Sequence, residues 1–383
     1  MKNIKLSEPL IDNFEIDAIT KVMKSGWLTS GKITQIFEKK VSKYLKVKRV
    51  LAVNSCTNGI FATIKAMNLK KGDEVITSPF TFISTINSLY QCGLKIKFAD
   101  INLTDFNIDT QDLKKKISKK TKCVLITHYG GIPCNLDQIY KLCGKKINII
   151  EDAATALGAE YRKKKVGSFK RSVSVFSLYA NKIITTGEGG LIATNNENLA
   201  RKIKILISIG IDKSPWKRTN EKLSYRYDLR RPGYKFNFTD IQASIGISQM
   251  KKLDKIIKRR IEIRGRYNKY LKNLVHKNHI SLYSGSNDKK SAEYIYTILI
   301  KNNKFKRDNL IKFLKKHKID STVHYIPAQY LNFYKRIFSK KNLKNTNQVF
   351  RNVISIPFHN KLTNGQIKYV SKKIISFFNN ENK

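Results

Sequence analysis

Two side chains thirty residues apart carry the chemistry legible in this sequence. Asp152 closes the strand pattern 148–151, and Lys182 precedes the glycine-rich turn Thr185-Thr-Gly-Glu-Gly-Gly190. A lysine amine can join an aldehyde as a Schiff base, and a carboxylate can keep a heteroaromatic nitrogen protonated. Together they suit pyridoxal phosphate, whose ring acts as an electron sink. Singly, neither residue is diagnostic. Lysine is the commonest cation here, and an aspartate ending a strand is more often a turn residue or a helix cap.

Other positions acquire meaning beside that pair. Asn54-Ser-Cys-Thr57 follows a strand pattern and opens a helical one, where free amides and the helix dipole favour phosphate. The same residues would also serve as an ordinary N-cap. Ser78-Pro-Phe-Thr-Phe82 follows the next strand and brings aromatics that can stack on a flat ring, although Phe80 or Phe82 alone is better explained as core. Ser177, in the strand-like run 174–178, either reaches a phosphate tethered near Lys182 or faces solvent, and spacing does not decide. His128, His324 and His359 are too dispersed for a metal site, and HExxH, GxSxG and a strand-linked GxGxxG are absent.

These residues need a scaffold that delivers strand ends to one place. Between about residues 48 and 195, short apolar runs (49–54, 74–77, 94–98, 123–127, 148–151) alternate with helix-period segments (57–67, 81–91, 136–142). Near-continuous apolar strands alternating with helices predict a mostly parallel sheet covered by helices, with function beyond the strand C-termini. After residue 238 the pattern changes. A long helix over 240–273 is followed by a strand (294–300), a helix (307–318), a short strand (322–325) and a last helix (364–378). The fold class expected is α/β. Residues 1–245 form an N-terminal arm plus a large cofactor-binding domain, and residues 246–383 a smaller α+β domain. The polar stretch 212–232 reads as a long loop, functional or mobile.

With 383 residues, 41% of them hydrophobic, the chain can bury a large core. It carries 75 basic against 28 acidic residues, a net charge of +47. Basic clusters at 114–116, 163–165, 258–260 and 340–341 are scattered rather than gathered into one stripe, and they mostly lack interleaved aromatics. A Lys-, Asn- and Ile-rich composition explains the charge better than a specific nucleic-acid partner. It still predicts attraction of phosphate-bearing substrates and non-specific polyanion binding. Five scattered cysteines, no membrane-length apolar run and no apolar N-terminal leader lead us to expect a reduced, cytoplasmic protein.

Taken in order, the motifs resemble the DegT/DnrJ/StrS family of sugar-nucleotide aminotransferases, of the aspartate aminotransferase fold. The resemblance runs through Gly26-Trp-Leu-Thr-Ser-Gly31, Phe37-Glu38, Asn54-Ser-Cys-Thr57, Gly72-Asp-Glu-Val-Ile76 and Pro79-Phe-Thr-Phe-Ile83. It continues through His128-Tyr-Gly-Gly-Ile-Pro133, Glu151-Asp-Ala-Ala154, Phe176-Ser177, Lys182 and the turn to Gly190. Pro232-Gly-Tyr-Lys-Phe-Asn237, Thr239-Asp-Ile-Gln-Ala243 and Val323-His-Tyr-Ile-Pro327 complete it. The resemblance implies pyridoxal phosphate held as a Schiff base by Lys182, with Asp152 on the pyridine nitrogen and Phe82 on the ring. It places Thr57, Asn58 and Ser177 at the phosphate and Lys235 at the phosphate of a neighbouring subunit, hence a homodimer with shared sites. Thr29, Thr155 and His324 become candidates for touching the substrate.

Some positions depart from the commoner family pattern. Cys56 replaces a glycine, Asn58 a small residue, Thr155 a His, Gln or Glu, and Ile183 an Asn. None removes a group the chemistry requires. A branch of the family with His at the lysine position dehydrates sugars, so Lys182 implies transamination. The expected reaction takes an amino group from an amino acid, glutamate by resemblance, to a keto-sugar nucleotide for amino-sugar and surface-polysaccharide synthesis. Lys235-Phe-Asn237 and His128-Tyr-Gly-Gly131 lean toward a 4-keto sugar on UDP. The rivals are a dehydratase on the same scaffold and a non-catalytic regulatory or nucleic-acid-binding protein.

Overall fold

The computed structural model describes residues 3–212, 216, 219, 225, 227–301, 306–338 and 343–380. Helix α1 (Asn13–Ser25) starts from a capping box in which Asp12 and Glu15 satisfy each other's backbone, and ends at Gly26 with φ 70°. Helix α2 (Lys32–Leu45) has Gly31 at its N-cap and no side-chain cap of its own. Its free amides are met from more than 200 residues away. Asp240 accepts from the amides of Gly31 (2.8 Å), Ile33 (3.1 Å) and Thr34 (2.8 Å).

A βα alternation follows: β1 (Arg49–Val53), α3 (Cys56–Ala66), β2 (Glu74–Thr77), α4 (Ile83–Gln91), β3 (Lys95–Phe98), α5 (Thr110–Lys116), β4 (Thr121–Thr127), α6 (Leu136–Cys143) and β5 (Asn148–Asp152). A small hairpin, β6 (Glu160–Tyr161) and β7 (Lys164–Lys165), precedes β8 (Val173–Ser177), β9 (Gly190–Thr194) and α7 (Glu197–Ile207). Seven strands form one sheet in the order β1-β9-β8-β5-β4-β2-β3. Every pairing is parallel except the two made by β9, which runs against both β1 and β8. All residues of β2, β5 after its first, β8 and β9 are buried, as a sheet covered on both faces requires. The expected α/β class with a mostly parallel sheet is what the structure has.

Helix α8 (Asp240–His276) spans 37 residues. Its N-terminal part packs with α2 in one core cluster, where Gly246 lets the Phe37 ring approach to within 2.6 Å of where a Cβ would stand. Its C-terminal part, through Ile263, Tyr267, Leu271 and Leu274, belongs to another cluster. That second cluster gathers β10 (Ile280–Ser281), β12 (Tyr296–Ile300), α9 (Arg307–Lys316), β13 (Val353–Ile356) and α12 (Asn364–Asn380). The remaining elements are β11 (Lys289–Lys290), which extends the β6–β7 hairpin, and the short helices α10 (Asn332–Phe338) and α11 (Lys344–Asn352). The sequence division at residue 245 thus falls inside α8, and Ile4 of the N-terminal arm packs with the C-terminal cluster.

Two sequence expectations need correction. No strand forms over 322–325: only Thr322 makes a bridge, to Ser355 on the open edge of β13. β13 instead comes from Val353–Ile356, where no strand was expected. The loop expected at 212–232 lies partly outside the described residues, as do Lys340 and Lys341.

Candidate active site

Asp152 ends β5, Ser177 ends β8 and Thr127 ends β4, while the N-terminus of α3 and the residues before α4 reach the same rim. Together with Tyr294 and the 322–325 segment they enclose a cavity of about 640 Å³. This is the convergence of strand C-termini that a parallel sheet makes available to ligands.

Lys182 sits in the connection between β8 and β9. That connection is tied at its base: the Leu178 amide donates to Gly189 O and the Thr186 amide to Leu178 O, both at 2.9 Å. The lysine Nζ donates to the Tyr294 hydroxyl at 3.3 Å and lies 4.5 Å from the Tyr294 ring centroid.

The Asp152 carboxylate accepts the Thr85 hydroxyl at 2.5 Å and the Ala154 amide at 3.1 Å. A hydroxyl chain supports that contact, Thr127 donating to Thr81 (3.1 Å) and Thr81 meeting Thr85 (3.3 Å). Glu151, one residue earlier, faces the other way and is fully buried. His128 accepts the Cys134 amide at Nδ1 (3.0 Å), so Nε2 carries the proton it donates to Glu151 at 2.9 Å. Burial pushes the Glu151 carboxyl up, but donors from His128, Ser172 and Tyr140 more than offset this and hold it below its ordinary range. The strand end carrying Asp152 is therefore anchored from behind by a satisfied polar network.

At α3, the Ser55 hydroxyl accepts the Asn58 amide at 3.1 Å. The first-turn amides of the helix have no intrahelical acceptors, and Ser55, Cys56 and Thr57 line the cavity. Gly190 of β9 backs this turn so closely that a Cβ would stand 2.6 Å from the Cys56 nitrogen. Burial and the nearby Asp152 push the Cys56 thiol up, so it stays protonated.

Of the residues expected from sequence, Lys182, Asp152, Thr57, Phe82, Ser177, Thr155 and His324 all line this cavity. Phe82 leaves 59% of its surface open, and its ring leans on Tyr325 at 6.0 Å. His324 meets the Ser355 hydroxyl at 2.8 Å, and burial with the nearby Lys182 pushes its pKa down to about 4. Thr155 donates its hydroxyl to His128 O at 2.8 Å, so only its lone pairs remain for a ligand.

Three expected residues lie elsewhere. Asn58 gives its side-chain amide to Asn54 at 2.9 Å, turning it along the helix instead of into the cavity. Thr29 is exposed, its carbonyl accepting the Asp240 amide at 3.2 Å. Lys235 is exposed and bridges to Ser208. Among the described residues, Ser84, Thr85 and Tyr294 at or beside the site were not foreseen, while Ser55 and Tyr325 were read only within their motifs. Thr85 and Ser84 follow the SPFTF motif directly and were within reach of it. Tyr294 had no local signal, standing 112 residues from Lys182.

The residues fit pyridoxal phosphate. One region offers helix-terminal amides and the Ser55, Thr57 and Ser177 hydroxyls for a phosphate, another a carboxylate with a site left to accept a proton, and Lys182 brings an amine. Among the described lining residues Lys182 is the one lysine or arginine.

A family model for the DegT/DnrJ/EryC1/StrS aminotransferase family matches residues 9–375. A spore coat polysaccharide biosynthesis protein, SpsC, of Bacillus subtilis is 34% identical over 96% of this chain and 95% of its own. A UDP-4-amino-4,6-dideoxy-N-acetyl-β-L-altrosamine transaminase of Campylobacter jejuni is 34% identical over 97% of both chains. Among solved structures, Helicobacter pylori PseC, an aminotransferase of pseudaminic acid biosynthesis as its description has it, superposes with a TM-score of 0.91 at 30% identity. That match covers 99% of this chain and 100% of the other.

Proposed function

Because this chain belongs to the DegT/DnrJ/EryC1/StrS aminotransferase family and is a pyridoxal-phosphate-dependent sugar aminotransferase, we propose that it carries an amino group from glutamate to a UDP-linked 4-keto sugar. The observation that carries the catalytic part is Lys182 and Asp152 on one cavity, backed by a phosphate-suited helix terminus. The 4-keto and UDP part is supported by the Campylobacter jejuni relative, whose name gives a UDP-linked 4-amino sugar.

When bound, the cofactor supplies an electron sink and carries the amino group between the two substrates. Asp152, braced by Thr85 and Ala154, holds a proton on the ring nitrogen. Lys182 Nζ takes the proton from Cα of the amino donor, and in the second half-reaction returns one to the sugar carbon that receives nitrogen. Phe82 would cover the ring, while Thr57 and Ser177 would hold the phosphate. Asn58 contributes through its place in the helix's first turn. Thr155 and His324, which line the cavity, face the sugar side, while Thr29 lies outside it.

A cofactor phosphate and a nucleotide diphosphate together need more cations than this cavity provides. Lys235, exposed on the strap after α7, supplies one to the neighbouring subunit's phosphate in a homodimer. The test is incubation of purified protein with pyridoxal phosphate, glutamate and a panel of 4-keto and 3-keto sugar nucleotides, read by mass spectrometry. An aminated 4-keto UDP-sugar is expected. A dehydrated product, or a Lys182→Arg variant that still aminates, overturns the reading.

A further inference from the structure

The lysine is held from outside its own loop. We propose that Tyr294, clamped by Arg260, is a positioning residue that sets where the Lys182 amine returns between half-reactions. This rests on the reading that Lys182 is the cofactor-linked lysine.

Tyr294 has little freedom. Its amide donates to Gly130 O at 3.3 Å, and the Ala292 amide donates to Gly131 O at 2.9 Å, pinning the segment onto the turn after β4. From the other side Arg260 of α8, itself buried, donates to the carbonyls of Glu293 (3.1 Å) and Tyr294 (2.9 Å) and to the Asn360 side chain (3.0 Å). Burial lowers the Arg260 pKa to about 10, so the guanidinium stays charged at neutral pH and its hydrogen bonds are charge-assisted. Arg264 in turn holds the Glu293 carboxylate.

The hydroxyl has a defined polarity. A phenol carries one proton, and this one goes to the Asn181 side-chain oxygen at 3.2 Å. Its lone pairs are thus left to accept from Lys182 Nζ at 3.3 Å, while the ring face attracts the ammonium at 4.5 Å. Lysine has four rotatable side-chain bonds and, once released from a cofactor, would sample many rotamers. Two contacts from one rigid ring select among them, so Tyr294 acts through the lysine it positions.

The experiment follows the lysine and not turnover. Apoprotein is mixed with pyridoxal phosphate, and the absorbance of the lysine-linked cofactor, formed from amine and aldehyde with loss of water, is followed over time. The dissociation constant of pyridoxamine phosphate, which has no aldehyde to link, is measured in parallel. Tyr294→Phe should slow linkage about tenfold, the loss of one hydrogen bond to a charged group, with pyridoxamine phosphate affinity kept within about twofold. Tyr294→Leu, lacking the ring as well, should be slower still. Wild-type linkage rates in Tyr294→Phe, or a matching loss of pyridoxamine phosphate affinity, overturn the proposal. Formation of the same absorbance by Lys182→Ala would instead overturn the assignment of Lys182 itself.

Discussion

Asp152 is committed to two donors at the rim, and the shorter contact comes from Thr85 at 2.5 Å. A carboxylate so held is kept in place to meet a third donor, and its charge is what that donor needs. Asp152→Asn should lower kcat by about 10²-fold or more, the scale for losing one preorganised electrostatic partner. Thr85→Val, which keeps the charge and removes only the brace, should cost roughly tenfold. Stopped-flow half-reactions with glutamate separate the two from effects on the sugar. Residues whose role is written in a local string were legible in the sequence. Asp152 at a strand end, Lys182 before a glycine turn and Phe82 after SPFT all line the cavity. Tyr294 and Arg260 were not, because each acts only through a partner far along the chain. Asn58 sits in the expected helix turn, but its side-chain amide is given to its neighbour Asn54, a pairing that the motif alone does not show.

The elements were largely legible, because an apolar strand between two helices has few places to go. Strand β2 falls at 74–77 as expected, and β5 reaches only one residue further, to Asp152 itself. What resisted was pairing across distance. β9, the one strand running against its neighbours in the large sheet, follows a glycine turn that reads equally well as part of a plain hairpin. The Thr239–Ala243 motif likewise proved to join two helices, Asp240 opening α8 while capping α2. β9 leaves no room where it passes the phosphate-suited turn: a Cβ on Gly190 would meet Ser55 and Cys56 main-chain atoms at 2.6 Å. Gly190→Ala should therefore destabilise the fold by about 1–3 kcal/mol, as overpacking does. It should also weaken pyridoxal phosphate retention, measured by thermal melts with and without cofactor.

For the whole molecule, two histidines, His359 buried and His324 half-buried, link stability to acidity. His324 and His359 are each pushed down to about 4 by burial, from an ordinary 6.5. Between those values the unfolded chain binds protons that the folded chain refuses, so their contribution is fully present above about pH 6.5 and is lost as pH falls toward 4. The melting temperature should drop through that window, and His324→Gln with His359→Gln should flatten the drop. If Lys235 crosses to a neighbouring subunit, inactive Lys182→Ala and Lys235→Ala chains should complement on mixing. Random pairing then restores about a quarter of the native sites, because half the dimers are mixed and each carries one intact site. Absence of any recovery would place Lys235 in its own subunit or out of the site. Helix α8 adds a mechanical consequence. Its 37 residues make a beam of about 55 Å. One end is built into the layer under the large sheet and the other into the C-terminal core, with Arg260 near midspan gripping the backbone of Tyr294. A load that tilts the C-terminal core is therefore delivered, through one guanidinium and one phenol, to the amine of Lys182.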